Sequence, residues 1–284
     1  LNPQGTPVPD DLRGVWVREL RQTDTASPDA RPRDRLPPSD STSWVRCLQT
    51  SLWCAQLGVP DRSLLQRQAL PLSALDAGQL AVLADQHGFA GVTQVEALPD
   101  GEVATWRHHV DVQPAAIHPD EGLLVFESAD RYIKVGIHED SNEVWQRLPE
   151  SSSRFVALAG IDAQGQDDGR RLLVAGVYAM VVRPRQAAWP RGMRAGMCLA
   201  DALLTEPERA VEWLDFEISF GRLDEGQWLI ERSTLPEREN QRAPLSLTRL
   251  NSNQAELSCA LVPGSAQPAV WQILEWSAET DSLT

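Results

Sequence analysis

The chain has 284 residues, 42% hydrophobic and 23% charged, with 40 acidic against 26 basic side chains and a formal net charge of −14. That length suits one large or two ordinary domains, with a core burying roughly 75% of the unfolded surface. An acidic chain without clustered Lys and Arg is a poor nucleic-acid binder, and no run of 18 apolar residues is present to span a membrane. Residues 1–10 show no basic-then-apolar leader, so the expected compartment is the cytoplasm.

Cys47, Cys54, Cys198 and Cys259 form neither a C-x-x-C pair nor a disulfide framework. They read as reduced core thiols, although Cys47 and Cys54 lie in neighbouring strand-like runs where a bridge is geometrically allowed. Lys134 is the single lysine. Nothing near it in the sequence supports the lowered pKa of a Schiff-base nucleophile. No cofactor and no metal is expected.

After a proline-rich arm (1–10), Leu12 to Leu20 predicts a strand reached through Gly14. The stretch 21–42 is rich in Pro, Asp, Arg and Ser and predicts a long, mobile, exposed loop. Ser43 to Val59 predicts a hairpin around Gln49-Thr50-Ser51. Ser73 is placed to cap a helix, with Asp76 completing a box, Leu75, Leu80, Leu83 and Ala84 buried, and Gly88 as its stop. Strand runs follow near 92–97, 102–113, 122–128, 132–138 and 143–148, punctuated by Gly101, Gly122 and Asp130-Arg131. A composition break at Pro149 to Ser153 predicts a domain boundary. The second half repeats the rhythm, with strand runs, a helical region over 195–214 and further strand runs to Trp276. A duplicated architecture without residue-level repeat is therefore expected.

About sixteen short strands with two or three helices favour closed sheets, since open edges invite aggregation. The expected fold is mainly β, with two antiparallel barrel lobes and a few short helices. An N-terminal lobe occupies 11–150 and a C-terminal lobe 151–277; a single large curved sheet is the alternative.

The run Leu12-Arg13-Gly14-Val15-Trp16 resembles the G-x-W opening strand of lipocalin-like (calycin) β-barrels. There the tryptophan closes the barrel floor and the glycine lets the chain turn in. Trp106 to Pro114, Glu127, Trp145 and Phe216 to Pro236 extend the resemblance to uncharacterised bacterial proteins of lipocalin-like type. The resemblance implies a barrel with a lumen. It implies no ligand identity and no catalytic residue.

The densest polar cluster is Trp106-Arg107-His108-His109-Val110-Asp111-Val112-Gln113-Pro114. Strict alternation puts Trp106, His108, Val110 and Val112 on one face and Arg107, His109, Asp111 and Gln113 on the other. The second set faces either water or a polar cavity. Next-but-one neighbours on a strand lie about 6–7 Å apart, too far for a short His109–Asp111 bond. His108, His109, His118 and His138 lack metal-ligand spacing. In the second half, Glu217 and Ser219 alternate with Phe216, Ile218 and Phe220. Ion pairs on a wet face are the preferred reading; turned inward, Glu217 and Arg232 would make a polar lumen.

The leading functional reading is a small-ligand-binding barrel protein without catalysis. The candidate binding residues are Trp106, His109, Asp111, Gln113, Glu127 and Trp145, for a small apolar or aromatic ligand. The alternative is a barrel enzyme doing acid/base chemistry (isomerase, lyase or hydrolase) with Asp111, Glu127 or His109. A third reading is an interaction scaffold with filled barrels. No nucleic-acid or membrane partner is expected, and a homodimer stays open.

Overall fold

The computed structural model describes residues 6–23, 39–40, 43–60, 70–98, 101–279 and 281–283. The first half forms β1 (Gly14–Thr23), β2 (Ser39–Asp40), β3 (Trp44–Gln49), β4 (Trp53–Val59), helix α1 (Ala77–Leu83), β5 (His87–Leu98), β6 (Gly101–Asp111), β7 (Asp120–Ser128), β8 (Arg131–Gly136) and β9 (Ser141–Arg147). These strands pair antiparallel in the order β2-β1-β3-β4-β5-β6-β7-β8-β9, and β9 pairs back onto β1. Eight strands thus close a barrel, with β2 as a short flap on β1.

The second half forms β10 (Phe155–Ile161), β11 (Asp167–Ala175), β12 (Tyr178–Arg183), α2 (Leu199–Thr205), α3 (Ala210–Leu214), β13 (Glu217–Asp224), β14 (Gln227–Ser233), β15 (Arg242–Pro244), β16 (Ser246–Arg249), β17 (Gln254–Ser258), β18 (Ala269–Trp276) and β19 (Ser282–Leu283). Its sheet runs β15-β14-β13-β12-β11-β10-β18-β17-β16-β19. β15 and β16 flank Leu245 in the chain, so a single residue spans what remains of the gap. Both halves place their helices after the third barrel strand, so the expected duplicated rhythm is an architectural fact.

Several local expectations change. In the stretch 21–42, β1 runs on to Thr23, and Ser39 and Asp40 pair with Gln22 and Arg21. The remainder of that loop lies outside the described residues. The cap of α1 is Asp76, whose carboxylate accepts from Gln79 N while the Gln79 side chain accepts from Asp76 N, both at 2.9 Å. Ser73 sits in the preceding single turn, and the reciprocal box is completed by Gln79 at the third helical position. Gly88 and Gly122 are strand residues, not stops. A Cβ on Gly88 would lie 2.4 Å from the Gln56 carbonyl oxygen, and one on Gly122 would lie 2.6 Å from Lys134 Cγ.

The barrels share an apolar seam. Trp53, Ala55, Leu57 and Val59 of β4 point out of the first barrel, and Ile218 and Phe220 of β13 point out of the second, into one buried cluster with Met180, Trp213 and Leu214. β4 is therefore buried on both faces, and each large side chain so covered contributes about 1.5–3 kcal/mol. At one edge Glu275 of β18 clasps the β3–β4 turn, accepting from Thr50 Oγ1 at 2.6 Å and Ser51 N at 3.0 Å. Replacing Glu275 by alanine strands Ser51 N, leaves the Thr50 hydroxyl only the Trp53 carbonyl at 3.1 Å, and is expected to cost about 1–3 kcal/mol in urea unfolding. An unchanged midpoint would show that the clasp is not structural.

Candidate functional site

One end of the first barrel is filled. Trp16 packs edge-on against Tyr132 at 4.6 Å, Tyr132 stacks with Trp145 at 6.2 Å, and Leu12, Cys47 and Leu124 complete the cluster. Trp16 Nε1 donates to the Leu12 carbonyl at 2.8 Å, and the Arg147 guanidinium lies over its ring. Gly14, at φ 132°, turns the chain into this floor. All four cysteines are free thiols, and burial pushes Cys54 up to about 12.

The other end is polar, and a bulge makes it so. Ala90 pairs with Val110 but Gly91 pairs with His108, leaving His109 as an extra residue on β6. A Cβ at Gly91 would lie 1.9 Å from the Arg107 carbonyl oxygen, so only glycine lets the strands close here. The extra residue breaks the expected alternation. Trp106, His108 and Asp111 share the inner face, while His109 and Val110 turn to the seam. His108 Nδ1 then meets Asp111 Oδ2 at 2.5 Å, its Nε2 meets Asp120 Oδ2 at 3.3 Å, and its ring stacks on Phe89. Lys134 donates to Asp120 Oδ1 at 2.7 Å and sits 4.2 Å from the Trp106 ring centre. Glu143 accepts from Arg18 at 3.1 Å and from Trp145 Nε1 at 3.2 Å.

These groups hold one another ionised. Burial alone would lower His108, but the hydrogen bonds and charges of Asp111 and Asp120 outweigh it and raise it to about 9. Burial would raise Asp120, yet the bonds from His108 and Lys134 bring it down to about 2. Glu143 is lowered despite burial by Lys134, Arg18 and Arg21. His87 goes the other way, to about 4, through burial and the Arg18 and Arg21 charges. Water still reaches this end: the side chains of Asp111 and Asp120 are 27% and 31% exposed.

Of the sequence candidates, Trp106, Asp111 and Trp145 meet in this barrel. His109 lies edge-on against Trp53 in the seam, where burial and Arg171 lower its pKa. Gln113 is a latch between elements, donating to the Ala84 and Gln86 carbonyls and accepting from Leu199 N. Glu127 is on the outer rim, paired with Arg131 at 2.7 Å. Missed were His87, His108, Asp120, Lys134, Glu143 and Arg18. One signal could have found three of them: Asp120, Lys134 and Glu143 are in phase with the buried Leu124, Tyr132 and Trp145 on β7, β8 and β9. Among the described residues no three His, Cys, Asp or Glu side chains are grouped to hold a metal.

The second barrel repeats the device with a different outcome. Gly221 pairs with Ile230, leaving Glu231 extra, and a Cβ at Gly221 would lie 1.9 Å from the Leu229 carbonyl oxygen. Counted from these glycines, Glu217 stands where His87 stands. Counted from their partners, Ser233 stands where Asp111 stands. Glu217 is fully buried, not on a wet face; it accepts from Ser219 Oγ at 2.9 Å and pairs with Arg238 at 3.3 Å, while Arg232 stays outside. The reason is the barrel itself, whose interior is packed by Trp228, Trp271 and Leu257 beneath it. A shallow cleft of about 450 Å³ on the outer side, lined by Arg249, Asn253, Gln272 and Trp276, has its carboxylate, Glu275, engaged by the first barrel.

Neither the protein-family models nor the curated proteins contain a match to this chain. Among solved structures, the uncharacterized protein YLR301w from Saccharomyces cerevisiae is similar, with a TM-score of 0.54 and 12% identity over 93% of this chain and 99% of that one. At that identity the likeness shows the fold alone, and it runs across both barrels.

Proposed function

We propose that the chain is a lipocalin-like binding protein that holds a small molecule in the mouth of its first barrel and does no chemistry on it. The observation that carries this reading is the contrast between two equivalent stations. In the second barrel the station is sealed, with Glu217 at 0% exposure. In the first it is wet and lined by charge above a filled aromatic floor. An eight-stranded barrel is wide enough for one small ligand when side chains do not fill it. The charged lining favours a polar ligand over an apolar one.

The protonation states at this mouth disfavour catalysis. A general base works best with a pKa near the operating pH. An imidazolium clamped by two carboxylates is a poor base at neutral pH, and a carboxylate held near 2 is a poor acid. Native mass spectrometry of gently purified protein, beside the same sample denatured, tests the reading. A small mass lost on denaturation is expected. A bare chain at every concentration, with no small molecule stabilising it, would overturn it in favour of a filled scaffold.

A further inference from the structure

Whatever the lumen holds, we infer that the outer wall of the first barrel over β7 and β8 is a docking face for a basic amphipathic helix of another protein, its apolar stripe flanked by Lys or Arg. The side chains that point away from the lumen carry this. Ala104, Leu124, Tyr132 and Trp145 belong to the filled interior, so their neighbours along each strand face outward. Two adjacent apolar rungs result. Val103, Leu123 and Val135 pair across β6, β7 and β8, and Val125, Ile133 and Val144 pair across β7, β8 and β9. None of these six is part of, or packed against, the three buried clusters of described residues. Val125 is 44% exposed, and Ile137, two residues beyond Val135, is 47% exposed.

A wall of an antiparallel sheet that faces water is ordinarily polar, and this one is polar only at its margins. On β7, Leu123 and Val125 lie between Glu121 and Glu127, and Glu96 of β5 stands beside Val103. Arg131 at the same margin is already held by Glu19 and Glu127. Four carboxylates about one guanidinium complement a basic partner, as does the formal net charge of −14. The face also has the dimensions of a helix. Glu121 to Glu127 spans about 20 Å of strand, the length of a helix of about 14 residues. The opposite wall shows such a surface already covered: β4 lies four steps from β8 in either direction, and its outward residues share a buried cluster with Leu199 of α2 and Trp213 of α3. A second copy of the chain fits poorly. Its described α-helices are seven residues or shorter, two acidic margins would meet, and six largely half-buried side chains offer far less than the roughly 800 Å² per partner of a stable dimer.

The test uses the intact protein and a helical peptide of about 18 residues with leucine along one face and lysine flanking it, beside the same peptide with glutamate for lysine. At physiological salt the lysine peptide is expected to bind with a Kd below about 100 µM, and the glutamate peptide at least about 10-fold more weakly. Val125→Ser with Ile133→Ser should weaken the lysine peptide by about 10-fold or more, and Glu96→Gln with Glu121→Gln by about 3-fold or more. Amide NMR shifts on the unsubstituted protein should centre on β6 to β9, which keeps the test independent of how the variants fold. No binding, shifts centred elsewhere, equal binding of the glutamate peptide, or a lysine peptide indifferent to the serine pair would each overturn the assignment. A dimer in sedimentation that the serine pair abolishes would overturn it too, and give the face to a second copy.

Discussion

Replacing Gly91 by alanine is expected to destabilise the protein by about 3 kcal/mol or more, at the upper end of overpacking costs. The new methyl group would meet the Arg107 carbonyl oxygen at 1.9 Å and the His108 Cα at 3.1 Å, both backbone atoms that cannot swing aside. The strands could relieve the clash only by parting at the bulge, which would release the inward turn of His108 and Asp111. A lowered urea midpoint and a His108 pKa returned towards 6.5, read by NMR, are the two expected signs. Alanine at Gly165, where a Cβ meets nothing within 4 Å but φ is 75°, makes the comparison, since it carries only the cost of a left-handed backbone, about 1–2 kcal/mol. A variant at Gly91 as stable as wild type would show that the bulge does not depend on this close approach.

The second large effect is on pH. His108 is raised to about 9 in the folded protein, so its contribution is complete below its ordinary value near 6.5 and is lost as pH rises through 9. His87 is lowered to about 4, so its contribution is present above 6.5 and lost as pH falls through 4. Stability should therefore peak near pH 6.5 and decline on both sides, by about 2 kcal/mol on the alkaline limb and by less on the acid limb, because His87 is exposed and water screens it. Asp120, lowered to about 2, adds a further loss only below about pH 4. His108→Asn should flatten the alkaline limb and His87→Asn most of the acid limb; His109, also lowered, keeps part of the latter. Urea midpoints across pH 4 to 9 separate the limbs. An alkaline limb that survives His108→Asn would mean that the imidazolium clamp contributes nothing.

The sequence makes the strand rhythm legible because turn residues at Gly101, Asp130 and Gly176 stand between runs of alternating or apolar character. The two-barrel architecture follows from that rhythm and from the G-x-W opening. The faces are harder. Alternation assumes an unbroken register, and one extra residue at His109 reverses every assignment beyond it, which moves Asp111 from the side of His109 to the side of His108. Strands such as β4, buried on both faces, carry no polar phase at all. Glu217 is misread for a related reason: a charged residue among apolar neighbours looks wet until the packed barrel beneath it and Arg238 beside it are seen. The helix cap fails more simply, since Ser73 and Asp76 both suit the role and only Gln79 decides.

The seam has a consequence for how the chain could come apart. β9 ends at Arg147 and β10 begins at Phe155, so a single short connector is the covalent link between the barrels. The outward faces of β4 and β13, the Glu275 clasp and the Gln113 latch onto Leu199 do not run through that connector. A nick there would leave two fragments that still complete each other, each supplying half of a wall the other lacks.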